Sequence, residues 1–233
     1  MIQTKKRTSI IFLGILLTFG ILSCTAVEGQ NKGSQKVIGI IVYDGVLTSD
    51  VTAPYEVFGA AIKQGNFPYK VINISIHEKK EITTYEGLKL FAESNISDAP
   101  DLDVLIVPST YDMKPLVNNA KLVSFIKKQG SRVTWLASNC AGAFLLGKAG
   151  FLDNHKATTW FGGEKELKKA YPACDVQFDR NVVVDGKLIT SNGGIVSYEA
   201  AFILLEKLSS PQFAKKILET LQFERVAKTK LQS

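Results

Sequence analysis

The apolar positions of this 233-residue chain follow two rhythms that alternate along its length. Continuous short runs, VIGIIVY at 37–43 and DVLIVP at 103–108, are bounded by polar residues and predict buried strands. YKVINISIH alternates and predicts another. Between the first run and this strand, Val51, Tyr55, Val57, Phe58, Ala61 and Ile62 share one helical face, with Gly65 as the stop. EITTYEGLKLFAES carries hairpin-like alternation around Glu86-Gly87, and VQFDRNVVVDGKLITS predicts a hairpin turning at Asp185-Gly186. A stretch rich in Leu, Val, Ile and Phe predicts helix up to Gly130. HKATTWF reads as a short extended piece before the helix GGEKELKKAY, and SYEAAFILLEKLS and PQFAKKILETLQF predict two closing helices. Strands alternating with helices imply an α/β fold with a parallel sheet covered on both faces.

The most informative segment is VTWLASNCAGAF, which runs into the helical pattern AGAFLLGKAG. An apolar strand stops at Ser138-Asn139, presents Cys140 and continues through small residues into a helix. That layout holds a nucleophile at the carboxyl edge of a parallel sheet. Ala141 and Gly142 permit a tight turn, and Gly142 with Ala143 lets the helix lie close to neighbouring strands. The helix N-terminus is expected to lower the thiol pKa. A buried structural cysteine is the plainer alternative, which the position at an elbow disfavours.

Composition changes the picture mainly at the amino terminus. Lys5, Lys6 and Arg7 precede an uncharged apolar run from Ile10 to Leu22 that ends at Ser23-Cys24, the order of a secretory signal. ILSC resembles a bacterial lipobox in which Cys24 is lipidated, with Leu22 bulkier than usual; ordinary cleavage near Ala26 is the alternative. Residues 1–24 are thus expected to be a lipoprotein-type signal, 25–35 a flexible tether, and 36–233 a single domain. The expected location is exported, anchored by lipid to a bacterial membrane facing the periplasm or exterior, or else soluble in the periplasm or secreted. The signal carries three of the net six positive charges, and the remaining lysine pairs sit on predicted helices as solvated faces. No nucleic-acid partner is expected.

The three cysteines are Cys24, Cys140 and Cys174. Export would permit a bond between the last two, but an elbow sulfur is aimed at a cleft, so pairing is disfavoured. No CxxC, HExxH or His/Cys cluster appears, so neither a metal nor another cofactor is expected. The two histidines, His77 and His155, lie away from the elbow in sequence, and both read as loop residues. Asp50 is the better proton partner, because it follows the first strand at the same sheet edge as Cys140. Its plain alternative is an N-cap for a helix starting at Val51. Glu56 is a second carboxylate whose default is a solvated helix position.

SNCAGAFLLGKAGFLDNHKATTWF, with DVTAPYEVF, DVLIVP and GKLITSNGGIVSYEAAFILLEKL, resembles the ThiJ/PfpI superfamily of class I glutamine-amidotransferase-like domains. The match is closest to the branch of isocyanide hydratases and AraC-type regulator N-terminal domains, and covers about residues 36–225. The resemblance implies a flavodoxin-like three-layer sandwich, Cys140 as nucleophile, Asp50 as its acidic partner, and commonly a homodimer. It also implies oxyanion donors from the backbone N–H of Ala141 and of the Ser109-Thr110 loop, and a pocket near Thr159 and Trp160. The chain departs from hydratase-like relatives in three places. Ala141 stands where they carry Thr, Trp160 replaces a histidine of ATTHW, and Pro108-Ser109-Thr110 replaces PGG. With no His directly after the cysteine and none beyond His155, peptidase and glutaminase chemistry is disfavoured.

Three function classes remain. One is a cysteine-dependent hydratase or hydrolase acting on a small electrophile such as an isocyanide. The others are a tethered ligand-binding module that keeps the fold, and a redox sensor built on Cys140. The two retained residues, Cys140 and Asp50, tilt the reading to the enzyme.

Overall fold

The computed structural model describes residues 35–228. The first apolar run forms β1 (Lys36–Val42), buried from Val37 onward. It leads into α1 (Thr48–Gln64), then β2 (Tyr69–Ser75). A hairpin of β3 (Glu81–Thr83) and β4 (Lys89–Phe91) precedes the short β5 (Ser94–Asn95) and the fully buried β6 (Val104–Val107). Next come α2 (Lys114–Val117), α3 (Ala120–Arg132), β7 (Trp135–Asn139) and α4 (Gly142–Lys148). The chain continues through β8 (Lys156–Ala157), α5 (Glu164–Ala170), β9 (Asp175–Val176), β10 (Val182–Asp185) and β11 (Leu188–Ser191). It closes with α6 (Val196–Leu208), α7 (Pro211–Thr220) and α8 (Phe223–Lys228).

Seven strands make the central sheet in the order β10-β11-β7-β6-β1-β2-β5. All pairings are parallel except the β10–β11 hairpin at one edge. The chain moves one way from β1 to β2 and the other way from β6 to β7. Right-handed crossovers therefore put α1 and α3 on opposite faces. Helices α1, α6 and α7 pack together, and α3 packs on α4. This is the expected three-layer α/β sandwich of flavodoxin type. The strand order reverses at β1, so the carboxyl ends of β1, β6, β7 and β11 open onto one crevice, where α/β sheets bind ligands.

Several boundaries differ from the pattern reading. Helix α1 starts at Thr48, three residues before Val51, with Leu47 at the N-cap and no local side-chain cap. A distant hairpin residue does the capping: the Thr48 N–H and hydroxyl both donate to Glu86 Oε2, at 2.9 and 2.6 Å. The helical stretch before Gly130 is split in two. Asn119 interrupts it and caps α3, its Oδ1 accepting from the N–H groups of Lys121 and Leu122. The last predicted helix is also broken, at Gln222, whose φ of 55° no helix accommodates. The signal, Cys24 and most of the tether lie outside the described residues.

Candidate functional site

Four segments meet in the crevice. Cys140 follows β7 with φ of 52°, the left-handed region that non-glycine residues rarely adopt. The flanking contacts over-determine it. The Cys140 N–H donates to Ser191 O at the end of β11 (2.9 Å), and its carbonyl accepts the Thr159 hydroxyl (3.0 Å). Gly142 has a physical job here. A Cβ at this position would lie 2.1 Å from Val107 O, so only glycine lets α4 press against the end of β6.

Asp50 is fully buried in the first turn of α1 and is not its N-cap. Its carboxylate collects four donors. Oδ2 accepts from the Ser109 N–H (3.1 Å) and hydroxyl (2.7 Å). Oδ1 accepts from the Gly194 N–H (3.1 Å) and the Ser197 hydroxyl (2.9 Å). Pro54 contributes indirectly. It has no N–H to give the Asp50 carbonyl four residues back, and that carbonyl accepts Asn139 Nδ2 instead (3.1 Å). The Asn139 side chain is held in turn by the Ser191 hydroxyl (2.7 Å). A helix-breaking residue thus ties α1 to the elbow strand.

Gly193 packs closely against both Cys140 and Asp50. A Cβ there would fall 2.3 Å from Cys140 Cβ and 3.0 Å from Asp50 Oδ1, at a φ of 77°. Both residues therefore border the Gly193 backbone. Among the described residues no hydrogen bond joins them directly. Burial is the largest influence on Asp50 and raises its pKa above the usual carboxylate value, against the pull of its Ser109, Ser197 and Gly194 donors. Burial also raises the Cys140 thiol, and the charge of Asp50 adds to it; the Ser109 hydroxyl and the Ala141 N–H oppose both. The expected lowering of the thiol pKa by the helix N-terminus is therefore reversed. Desolvation outweighs a helix of two turns.

The half-buried Cys140 opens on a cavity of about 610 Å³. Leu47, Met113, Phe144 and Trp160 give it an apolar character, Trp160 stacking on Phe144 at 5.4 Å. Thr110 and Ala141 also line it. Among the described hydrogen bonds neither of their N–H groups has a backbone or side-chain acceptor apart from the Cys140 sulfur near Ala141. Ser109 differs from the oxyanion expectation, because Asp50 already takes its N–H. Thr159 is fully buried behind Cys140 and supports its carbonyl, so it is not part of the cavity wall. His155 pairs with Asp185 at 3.0 Å, and neither histidine lines the cavity. Glu56 accepts from the Tyr198 hydroxyl on the surface. Cys140 and Cys174 are both free thiols.

Sequence reasoning left Gly193, Gly194, Ser197, Asn139 and Ser191 without roles, although SNGGIVS was among the segments that carried the resemblance. A glycine pair directly after a strand and before a helix was the available signal.

The sequence profile of the DJ-1/PfpI family matches residues 36–207. The isonitrile hydratase of Pseudomonas putida is 28% identical over 186 residues, covering 80% of this chain and 78% of that protein. The transcriptional regulator GbdR of Pseudomonas aeruginosa is 22% identical over 201 residues, which is 86% of this chain but 54% of the regulator. The crystal structure of a ThiJ/PfpI family protein from Pseudomonas syringae superposes with a TM-score of 0.73 at 22% identity, over 81% of this chain and 75% of that one.

Proposed function

Because the chain belongs to the DJ-1/PfpI family, we propose that it is a cysteine-dependent hydratase acting on a small, apolar electrophile of isocyanide type. The observation that carries this reading is the Cys140 elbow, a strained thiol opening on an apolar cavity with a buried carboxyl of raised pKa behind it. A carboxyl tuned upward accepts and returns protons nearer neutrality than a free one. In the first step the thiol loses its proton to the Asp50 side and sulfur bonds to the isocyanide carbon. That carbon takes the proton back, giving a thioimidate, Cys140–S–CH=N–R. Water then adds to the same carbon, the C–S bond breaks, the sulfur regains its proton, and the formamide R–NH–CHO departs. The N–H groups of Ala141 and Thr110 stabilise the charge that develops on the way. Glu166 is the one carboxylate, and there is no Lys or Arg, among the described residues that line the cavity, so neutral or cationic substrates suit it and carboxylates do not.

A second reading, a ligand-binding module without turnover, is favoured by one feature: Asp50 already satisfies both its oxygens with four donors, as a purely structural carboxylate would. A panel of neutral, cationic and anionic isocyanides separates the two. Formamide release by the parent and none by Cys140→Ala supports the hydratase. Saturable binding without product from any member supports the module.

We further propose that the domain works at a membrane surface, tethered through a lipidated Cys24, and as a homodimer. The order of basic residues, apolar run and ILSC supports the anchor. The dimer rests on the family resemblance.

A further inference from the structure

The loop after β6 carries the Thr110 N–H, and a turn at the end of another strand holds that loop. Tyr43 follows β1 directly, and its side chain is buried. Its hydroxyl donates to Pro108 O at 3.0 Å. The chain then turns at once. The Val46 N–H donates to Tyr43 O (3.0 Å), and Gly45 sits inside the turn with φ of 83°, in the left-handed region that favours glycine. Leaving the turn, the Leu47 N–H donates to Ser109 O at 2.8 Å. The turn is itself tied to the β3–β4 hairpin. The Gly45 N–H donates to Thr83 O (2.8 Å), and Asp44 Oδ1 accepts the Thr83 N–H (2.8 Å). One anchored turn thus grips two successive carbonyls, those of Pro108 and Ser109.

The two grips fix two peptide planes. In a trans peptide the N–H points opposite to the C=O, and none of the described peptides is cis. In the Pro108–Ser109 plane the carbonyl accepts from Tyr43 and the N–H donates to Asp50 Oδ2 (3.1 Å). In the Ser109–Thr110 plane Leu47 holds the carbonyl, and the Thr110 N–H has no acceptor among the described hydrogen bonds. The direction of that N–H is therefore set by what holds its own plane and the plane before it. Burial raises the Tyr43 pKa well above the ordinary phenol value, and the charges of Asp50 and Cys140 add to the rise, so the hydroxyl keeps its proton to donate.

We propose that Tyr43 is a positioning residue, which through Pro108 O holds the Ser109-Thr110 loop so that the Thr110 N–H stands as a fixed donor to charge developing on the bound electrophile. Tyr43 is not among the residues that line the cavity, and it acts only through the loop. Its effect on turnover rests on the hydratase reading, whereas the fixed loop does not.

Tyr43→Phe removes the hydroxyl alone and keeps the buried ring. With an isocyanide as substrate, kcat is expected to fall about 10- to 100-fold while KM keeps the parent's value, because the misdirected donor acts only as charge develops. A second pair of variants tests the other grip. Leu47→Pro removes the N–H at a position whose φ of −67° proline adopts, whereas Leu47→Ala keeps it. The proline variant is expected to have a kcat about tenfold or more below that of the alanine variant. Nitrogen-15 relaxation on the full chain reads the loop without substrate. The Thr110 N–H is expected to show an order parameter of about 0.85 in the parent and below about 0.6 in Tyr43→Phe. A Tyr43→Phe enzyme with the parent's kcat, or with a loss carried by KM alone, overturns the proposal, as does a Thr110 order parameter equal to the parent's. If the parent turns over no isocyanide, the hydratase reading fails by itself, and the order parameter still decides on Tyr43.

Discussion

Gly142→Ala tests whether the packing of α4 against β6 really holds the elbow. The added carbon would lie 2.1 Å from Val107 O, 3.0 Å from Pro108 O and 3.1 Å from the Val107 carbonyl carbon. The closest ordinary approach of a carbon to a carbonyl oxygen is about 3.3 Å. One partner must therefore move by about 1 Å, and all three are main-chain atoms with no rotamer to escape into. Overpacking of this kind costs about 2–3 kcal/mol. For a domain of this size that lowers Tm by about 5–10 °C. The displacement also carries Ala141 and Cys140 away from the Ser109-Thr110 loop, so Cys140 alkylation should change as well. Gly59→Ala is the control. Inside α1, with nothing within 4 Å of the added methyl, it should stabilise by about 0.5–1 kcal/mol. Calorimetry and peptide-resolved alkylation on the two variants suffice. A Gly142→Ala protein with the parent's Tm and the parent's alkylation rate would refute the argument.

Three further expectations follow from the site and the amino terminus. Asp50 has a folded pKa above its unfolded one, so its contribution to stability is fully present below the ordinary carboxyl value and is lost as pH rises through the raised folded value. Denaturant melts should therefore show the parent gaining on Asp50→Asn as pH falls from neutrality through that window, and a pH-independent gap would remove the claim that burial raises the Asp50 pKa. Cys140 should alkylate faster than Cys174, whose fully buried thiol is pushed up to about 11, and its rate should keep rising above the ordinary thiol range; equal modification of both sulfurs would point to two structural cysteines. The full chain should partition into detergent and Cys24→Ala should not, so identical partitioning of the two would dispose of the lipid anchor.

The strands and the elbow were legible because their signals are local. A buried parallel strand reads as an apolar run, and the small residues after Cys140 report a close approach that the Gly142 contact with Val107 makes explicit. The start of α1 was misplaced because its cap is Glu86, 38 residues away, which no window along the chain includes. Asp50 was legible as a candidate by its position after β1, but not its environment. Its four donors come from Ser109, Gly194 and Ser197, 59 to 147 residues further on. The direction of the Cys140 pKa was missed for a related reason. The helix N-terminus is visible in the sequence, whereas the burial that outweighs it depends on segments the fold brings to Cys140 from far along the chain, Gly193 among them.

The central claim is that Cys140 bonds to the carbon of a small electrophile and passes it to water. The most direct measurement is an acid-quenched single-turnover reaction with the parent in excess over the isocyanide, analysed by mass spectrometry of the Cys140 peptide. The account expects a transient gain of one isocyanide mass on Cys140 that decays as the formamide appears, with neither signal from Cys140→Ala. Formamide accumulating from Cys140→Ala at the parent's rate would contradict it.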